Sequence, residues 1–168
     1  EQLTWLLDGL RSSPATWKFV ISSLQFSQFE LFGSPVIFEN WDGFPHERDQ
    51  IFDLLENEVE DVIFLAGDWH TSYALDVARN PFDTLANYNP RTHAGSLAAE
   101  FVVPSINSGN FDEGNDFGLR GTPQEIASLL QLTNPHFQYA NLTDHGCIVL
   151  DLTPERVQAA FTFVATND

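Results

Sequence analysis

The run Val62-Ile63-Phe64-Leu65-Ala66, set between an acidic turn and Gly67, constrains the chain more than any other segment. A strand with one face in water alternates apolar and polar residues, whereas a run that is apolar at every position needs cover on both faces. It therefore predicts the central strand of a sheet with other elements packed on each side. Helices are legible on either flank. Leu3, Leu6, Leu7 and Leu10 share one face with Trp5 beside them, which predicts an amphipathic helix over 1–10. No N-cap residue precedes that helix, so further chain is expected upstream. Pro45 suits the first turn of a helix running to about Asn57, where its missing N–H costs nothing, with Ile51, Leu54 and Leu55 turned inward. Thr122-Pro123-Gln124-Glu125 is a capping box and opens a helix to about Leu132, which Asn134-Pro135 ends.

Strands are expected at Trp17–Ser22, Ser72–Ala78, where Tyr73, Leu75 and Val77 alternate, and Ala98–Val103. Phe137–Leu142, Cys147–Leu152 and Val157–Val164 read as three consecutive strands. The stretches 79–96 and 104–121 read as loops, and 23–39 mostly as loop with a turn at Gly33-Ser34-Pro35. The whole predicts a chain of the α/β or α+β class, one domain or part of one.

Composition narrows the function classes. With 43% hydrophobic residues in 168, the chain can bury a core, and no apolar stretch approaches the ~18 residues of a membrane-spanning helix. Seven basic against 24 acidic residues give a net charge of −17, which repels a phosphate backbone and argues against nucleic acid as a partner. Lys18 is the only lysine, a bias that suits a salt-adapted surface or a field that gathers cations. A lone cysteine, Cys147, makes neither an internal disulfide nor a cysteine-rich zinc site, and is expected as a buried thiol.

Gly67-Asp68-Trp69-His70 follows the central strand directly. Loops leaving the carboxyl ends of such strands line the crevice where ligands bind. Two residues apart in extended chain, Asp68 and His70 would point the same way and offer a carboxylate and an imidazole, a mixed set that transition metals accept. The competing reading is a strand-end turn with its histidine bonded to backbone. Trp41 and Asp42, within Asn40-Trp41-Asp42-Gly43-Phe44, either wall a pocket or make an ordinary turn. Asn134 and His136, astride Pro135, either hold a metal or an anion, or mark a helix stop. His46, His93 and His145 show no partner pattern and are expected to face solvent or cap. No nucleophile, base and acid set can be assembled, and no phosphate-cradling glycine loop is present.

Taken in order, several motifs resemble the C-terminal half of the PhoD-type alkaline phosphatase family within the metallophosphoesterase superfamily. They are Gln2, Trp5 and Leu6; Trp17-Lys18; Trp41-Asp42-Gly43-Phe44-Pro45-x-Glu47-Arg48; Leu65-Ala66-Gly67-Asp68-x-His70-x-Ser72; Glu100-Phe101-Val102 with Ser105-Ile106; Asn134-Pro135-His136; and Leu150-Asp151-Leu152-Thr153-Pro154-Glu155-Arg156. The resemblance spans nearly all of residues 1–168. It implies part of a metallophosphoesterase-like β-sandwich flanked by helices, and metal-dependent hydrolysis of phosphate mono- or diesters using iron and calcium by an exported protein, periplasmic or extracellular. It also implies Asp68 and His70 as metal ligands, catalytic roles near the site mouth for Asn134 and His136, and Trp41 and Asp42 as support for the substrate pocket. The family's earlier metal-binding segments have no counterpart here, so this chain by itself is expected to be inactive and to need the missing N-terminal half of the polypeptide. The rival expectation is a non-catalytic acidic module that binds cations or a partner. A carbohydrate-binding sandwich is disfavoured because the aromatics lie mostly within apolar runs.

Overall fold

The computed structural model describes residues 1–36, 38–113 and 119–165. In chain order it contains α1 (Gln2–Ser12), β1 (Lys18–Ile21), β2 (Glu30–Leu31), β3 (Ser34–Pro35), α2 (Pro45–Asn57), β4 (Val62–Ala66), β5 (Ser72–Val77), β6 (Ala98–Val102), α3 (Pro123–Thr133), β7 (Phe137–Asn141), β8 (Gly146–Thr153) and β9 (Arg156–Phe163). Single 3-10 turns lie at Trp41–Gly43 and Phe111–Glu113.

Five strands form one mixed sheet in the order β1-β4-β6-β5-β7. The first three run parallel, and β5 runs antiparallel to both β6 and β7. The apolar run becomes β4, inside this sheet and buried at every position but the half-buried Leu65. One face carries Val62, Phe64, Val102, Tyr73, Leu75 and Val77, all nearly inaccessible. At the β1 end Ile51, Phe52, Leu54 and Leu55 of α2 pack there with Leu10 of α1, while Leu3, Leu6 and Leu7 cover the cluster from its rim. At the β7 end Ile126 and Leu130 of α3 pack with Tyr73, Phe137 and Leu142. The capping box is formed, with Glu125 N donating to Thr122 Oγ1 and Thr122 N to Glu125 Oε2.

Residues 22–31 are no idle loop: they run as a strap across the same face. Phe26 stacks on Phe64 at 4.4 Å, and Phe29 meets Tyr73 and Phe137 on the far strands. Midway, the backbone N–H groups of Phe26 and Ser27 donate to the carboxylate of Glu100 at 2.7 and 2.8 Å. Glu100 is fully buried on β6, and desolvation pushes its carboxyl above the usual carboxylate range. Beyond the strap, Phe32 and Gly33, both at positive φ, close the two-residue hairpin β2–β3 inside a region expected mostly as loop, with a turn at Gly33-Ser34-Pro35. Gly33 signals the turn, but the Phe-Gly pair lacks the usual Asn-Gly hairpin signal, and the strands on either side are not expected from the sequence.

The three last strands form as expected but do not share a sheet. β7 joins the large one, whereas β8 and β9 make a separate hairpin against the opposite face, where Phe161 meets Phe101 and Tyr139. Alternation along β8 turns Cys147 outward, so the thiol is exposed and not buried in a core. Among the described residues no helix is long and apolar enough to cross a membrane.

Candidate functional site

At the carboxyl edge of the parallel strands, β4 leads into Gly67–Thr71, which passes over the end of β6 to reach β5, two places along the sheet. Val103 N donates to Ala66 O at 2.8 Å beneath this crossing. The loop is not extended. Asp68 and His70 both take positive φ, 72° and 59°, and Trp69 N closes a tight turn onto Gly67 O. The geometric premise that two residues apart means one side of a strand therefore fails here. The physical reason is the sharp reversal needed between β4 and β5. Orientation comes instead from Trp69, which is 5% exposed and packs edge-on against Phe29 of the strap at 5.0 Å. With that ring in the core, the Asp68 side chain is exposed and His70 half-buried.

Asp68 makes no hydrogen bond or ion pair among the described residues. His70 Nδ1 lies 2.9 Å from Gly109 O. A carbonyl only accepts, so Nδ1 carries a proton, and in the neutral ring Nε2 then has the lone pair with which an imidazole ligates a metal. This is the backbone bond that the turn reading expects, and it leaves Nε2 without a partner among the described residues. Among the described residues, no group of three or more His, Cys, Asp and Glu side chains gathers as a metal site. The donor types fit a metal centre, and their number falls short of one.

Asn134 and His136 lie away from this loop. They precede β7 at the end where Phe137 pairs with Leu75, while its other end, Asn141, pairs with Ser72 beside the Asp68 loop. Both are fully buried beneath the strap. The Asn134 amide accepts from Glu30 N at 2.9 Å and donates to Glu30 O at 2.8 Å, as a neighbouring strand would. His136 Nε2 donates to Gln28 O at 2.8 Å, and its buried Nδ1 has no partner. A second proton would have to sit on that orphaned nitrogen, so burial pushes the imidazole down to about 4.

Asp42 is also turned inward. Its carboxylate pairs with Arg48 Nη1 at 2.6 Å and accepts from Phe29 N at 3.0 Å, with both charged side chains less than 10% exposed. Trp41 meets the edge of Phe26 and lines a groove of about 590 Å3 beside Trp5, Ile21 and Phe44. Asp42 is not in its wall.

A second cluster escaped the sequence reading. Ser105 and Asn110 follow β6, Glu113 lies in the 3-10 turn after them, and His145 precedes β8. His145 is 7% exposed rather than solvent-facing, with Nδ1 3.0 Å from Ser105 Oγ and Nε2 3.6 Å from Glu113 Oε2. No local pattern announces contacts between residues forty apart. The Gly146 that follows, whose Cβ would meet Thr162 O at 2.1 Å, is the one sign that the chain is tightly held here.

Residues 1–161 match the model of the PhoD-like phosphatase family. Alkaline phosphatase D of Bacillus subtilis (strain 168) is 29% identical over 165 residues, which take in 96% of this chain and 25% of that protein. The solved structure of PhoD superposes with a TM-score of 0.71 at 24% identity, covering 96% of this chain and 31% of that one, a likeness of fold. The chain thus spans about a quarter of the length of the curated relative it matches.

Proposed function

Because the chain belongs to the PhoD-like phosphatase family, we propose that it is the C-terminal portion of a catalytic domain that hydrolyses phosphate mono- or diesters with bound metal ions. The observation that carries this reading is the crossing loop. It presents an unengaged carboxylate, Asp68, and an imidazole, His70, whose Nε2 is left free by the bond from Nδ1 to Gly109 O. A carboxylate serves either calcium or iron and an imidazole suits iron, so the pair fits the cofactors implied by the resemblance. Bound there, such ions would neutralise non-bridging phosphate oxygens and lower the pKa of a water. Among the described residues two donors come together, leaving most coordination positions of an ion to water, which supports a chain that acts only with the upstream half of the polypeptide. Asn134 and His136 serve in this reading by fixing the strap on which Trp69 rests, and Asp42 with Arg48 by holding it at Phe29 between them. In this reading the groove that Trp41 lines takes the substrate.

The test is hydrolysis of an aryl phosphate by the 168-residue chain and by a longer polypeptide carrying the upstream half. Turnover is expected only in the longer form, and Asp68→Ala should lower it by about 100-fold or more, the scale on which a lost electrostatic stabiliser acts. Silence in both forms would favour the acidic module without chemistry.

A further inference from the structure

The loop that follows β6 returns to the sheet edge through contacts that fix each hydrogen. Ser105 Oγ lies 2.6 Å from Ser108 O and 3.0 Å from Asn110 Oδ1. Ser108 O only accepts, and Asn110 Oδ1 is fixed as an acceptor because the amide's Nδ2 donates to Thr143 O. The single hydroxyl proton therefore points at those two oxygens, and His145 Nδ1, 3.0 Å away, must be the donor to Ser105 Oγ. Ser105, His145 and Glu113 are the residue types of a nucleophile, base and acid, but Glu113 stands 3.6 Å from the ring and that chemistry needs the hydroxyl to donate to it. Here the proton runs the other way, and the imidazole is a brace. Backbone bonds tie the same loop to the 142–146 turn at both ends, Gly146 N to Ser105 O at 3.0 Å and Phe111 N to Leu142 O at 3.1 Å. Gly109 sits between the clamped Ser108 and Asn110, and its carbonyl is the acceptor for His70 Nδ1.

We propose that Ser105, Asn110 and His145 are positioning residues that fix the tautomer of His70 by holding the Gly109 carbonyl against its Nδ1, so that Nε2 is the nitrogen offered to a cation. The inference rests on the reading of His70 as a ligand. Without the brace an exposed glycine carbonyl loses its place, and a half-exposed imidazole returns to the Nε2–H form that free imidazole side chains prefer.

The experiment is nitrogen-15 NMR of the metal-free chain, comparing the parent with Ser105→Ala, His145→Phe and Ser105→Thr. The parent should show His70 as Nδ1–H. Ser105→Ala and His145→Phe should each shift it toward Nε2–H, and Ser105→Thr, which keeps the hydroxyl, should restore it. His93, whose Nδ1 donates to Asp76 at 2.7 Å, is the internal reference for an intact fold. An unchanged His70 signal in either folded loss variant overturns the proposal, as does a parent already in the Nε2–H form. So does Ser105→Thr that restores the His93 signal but not that of His70. In the longer polypeptide, Ser105→Ala should weaken Mn2+ binding about tenfold or more, the usual effect of removing an outer-shell partner. Absent phosphatase turnover would sink the hydrolase reading and leave the NMR result standing, whereas an unaltered tautomer would do the reverse.

Discussion

Arg48 and Asp42 form an ion pair that water barely reaches, and the Asp42 carboxylate also accepts the strap's Phe29 N–H. Removing one partner of such a pair leaves an uncompensated charge inside. Arg48→Ala should cost about 3–5 kcal/mol, read as a shift in the denaturant midpoint, and a cost below about 1 kcal/mol would show that the pair is wetter than its geometry says. His136 makes a pH prediction. Its folded value of about 4 lies below the ordinary 6.5, so between those limits the unfolded chain holds more protons. Stability from this group is complete above the ordinary value and falls as pH drops toward 4, by roughly 3 kcal/mol in all. His136→Gln keeps a donor for Gln28 O and should flatten that part of the stability curve; parallel curves for the two proteins would refute it. Asp68 and His70 were visible in the sequence because a strand end followed by Gly-Asp-x-His is a local pattern. Their geometry was not, since positive φ at both positions answers to a crossing over β6 that no neighbour in sequence reveals.

At the level of elements, helices and strands followed from local signals almost everywhere: β4 from its apolar run, α2 from Pro45, α3 from its capping box. What stayed hidden was how elements combine. The strap looked like an aromatic loop without period, because its residues answer to several different strands and helices rather than to one repeating surface. Phe26, fully buried between Phe64, Phe52 and Trp41, is its keystone. Phe26→Ala should cost about 3–5 kcal/mol in the same denaturant assay. The β8–β9 hairpin has its own tight point, Gly146, where a methyl group would press on Thr162 O. Gly146→Ala is expected to cost about 1–3 kcal/mol and to raise amide exchange along β9 while β4 stays protected; uniform exchange across both would place the hairpin in the same cooperative unit as the sheet.

For the molecule as a whole, 24 acidic side chains face 7 basic ones, and like charges crowd a compact surface. Raising salt from about 10 mM to 1 M shortens the screening distance from ~30 to ~3 Å, so the melting temperature should climb over that range, most steeply at the low end. A flat or falling response would mean that Arg79 with Asp53 and Glu56, and Arg11 with Glu58, contribute more than the repulsion they offset. The passage over β6 has a consequence at this scale too. Two strand spacings are only about 10 Å, much less than Gly67–Thr71 can reach when stretched, and the surplus is coiled into the left-handed bends at Asp68 and His70. Trp69 is pinned below and Gly109 grips from the side. If this edge takes a cation as proposed, little freedom would be left to lose on binding, so the affinity would be set when the chain folds.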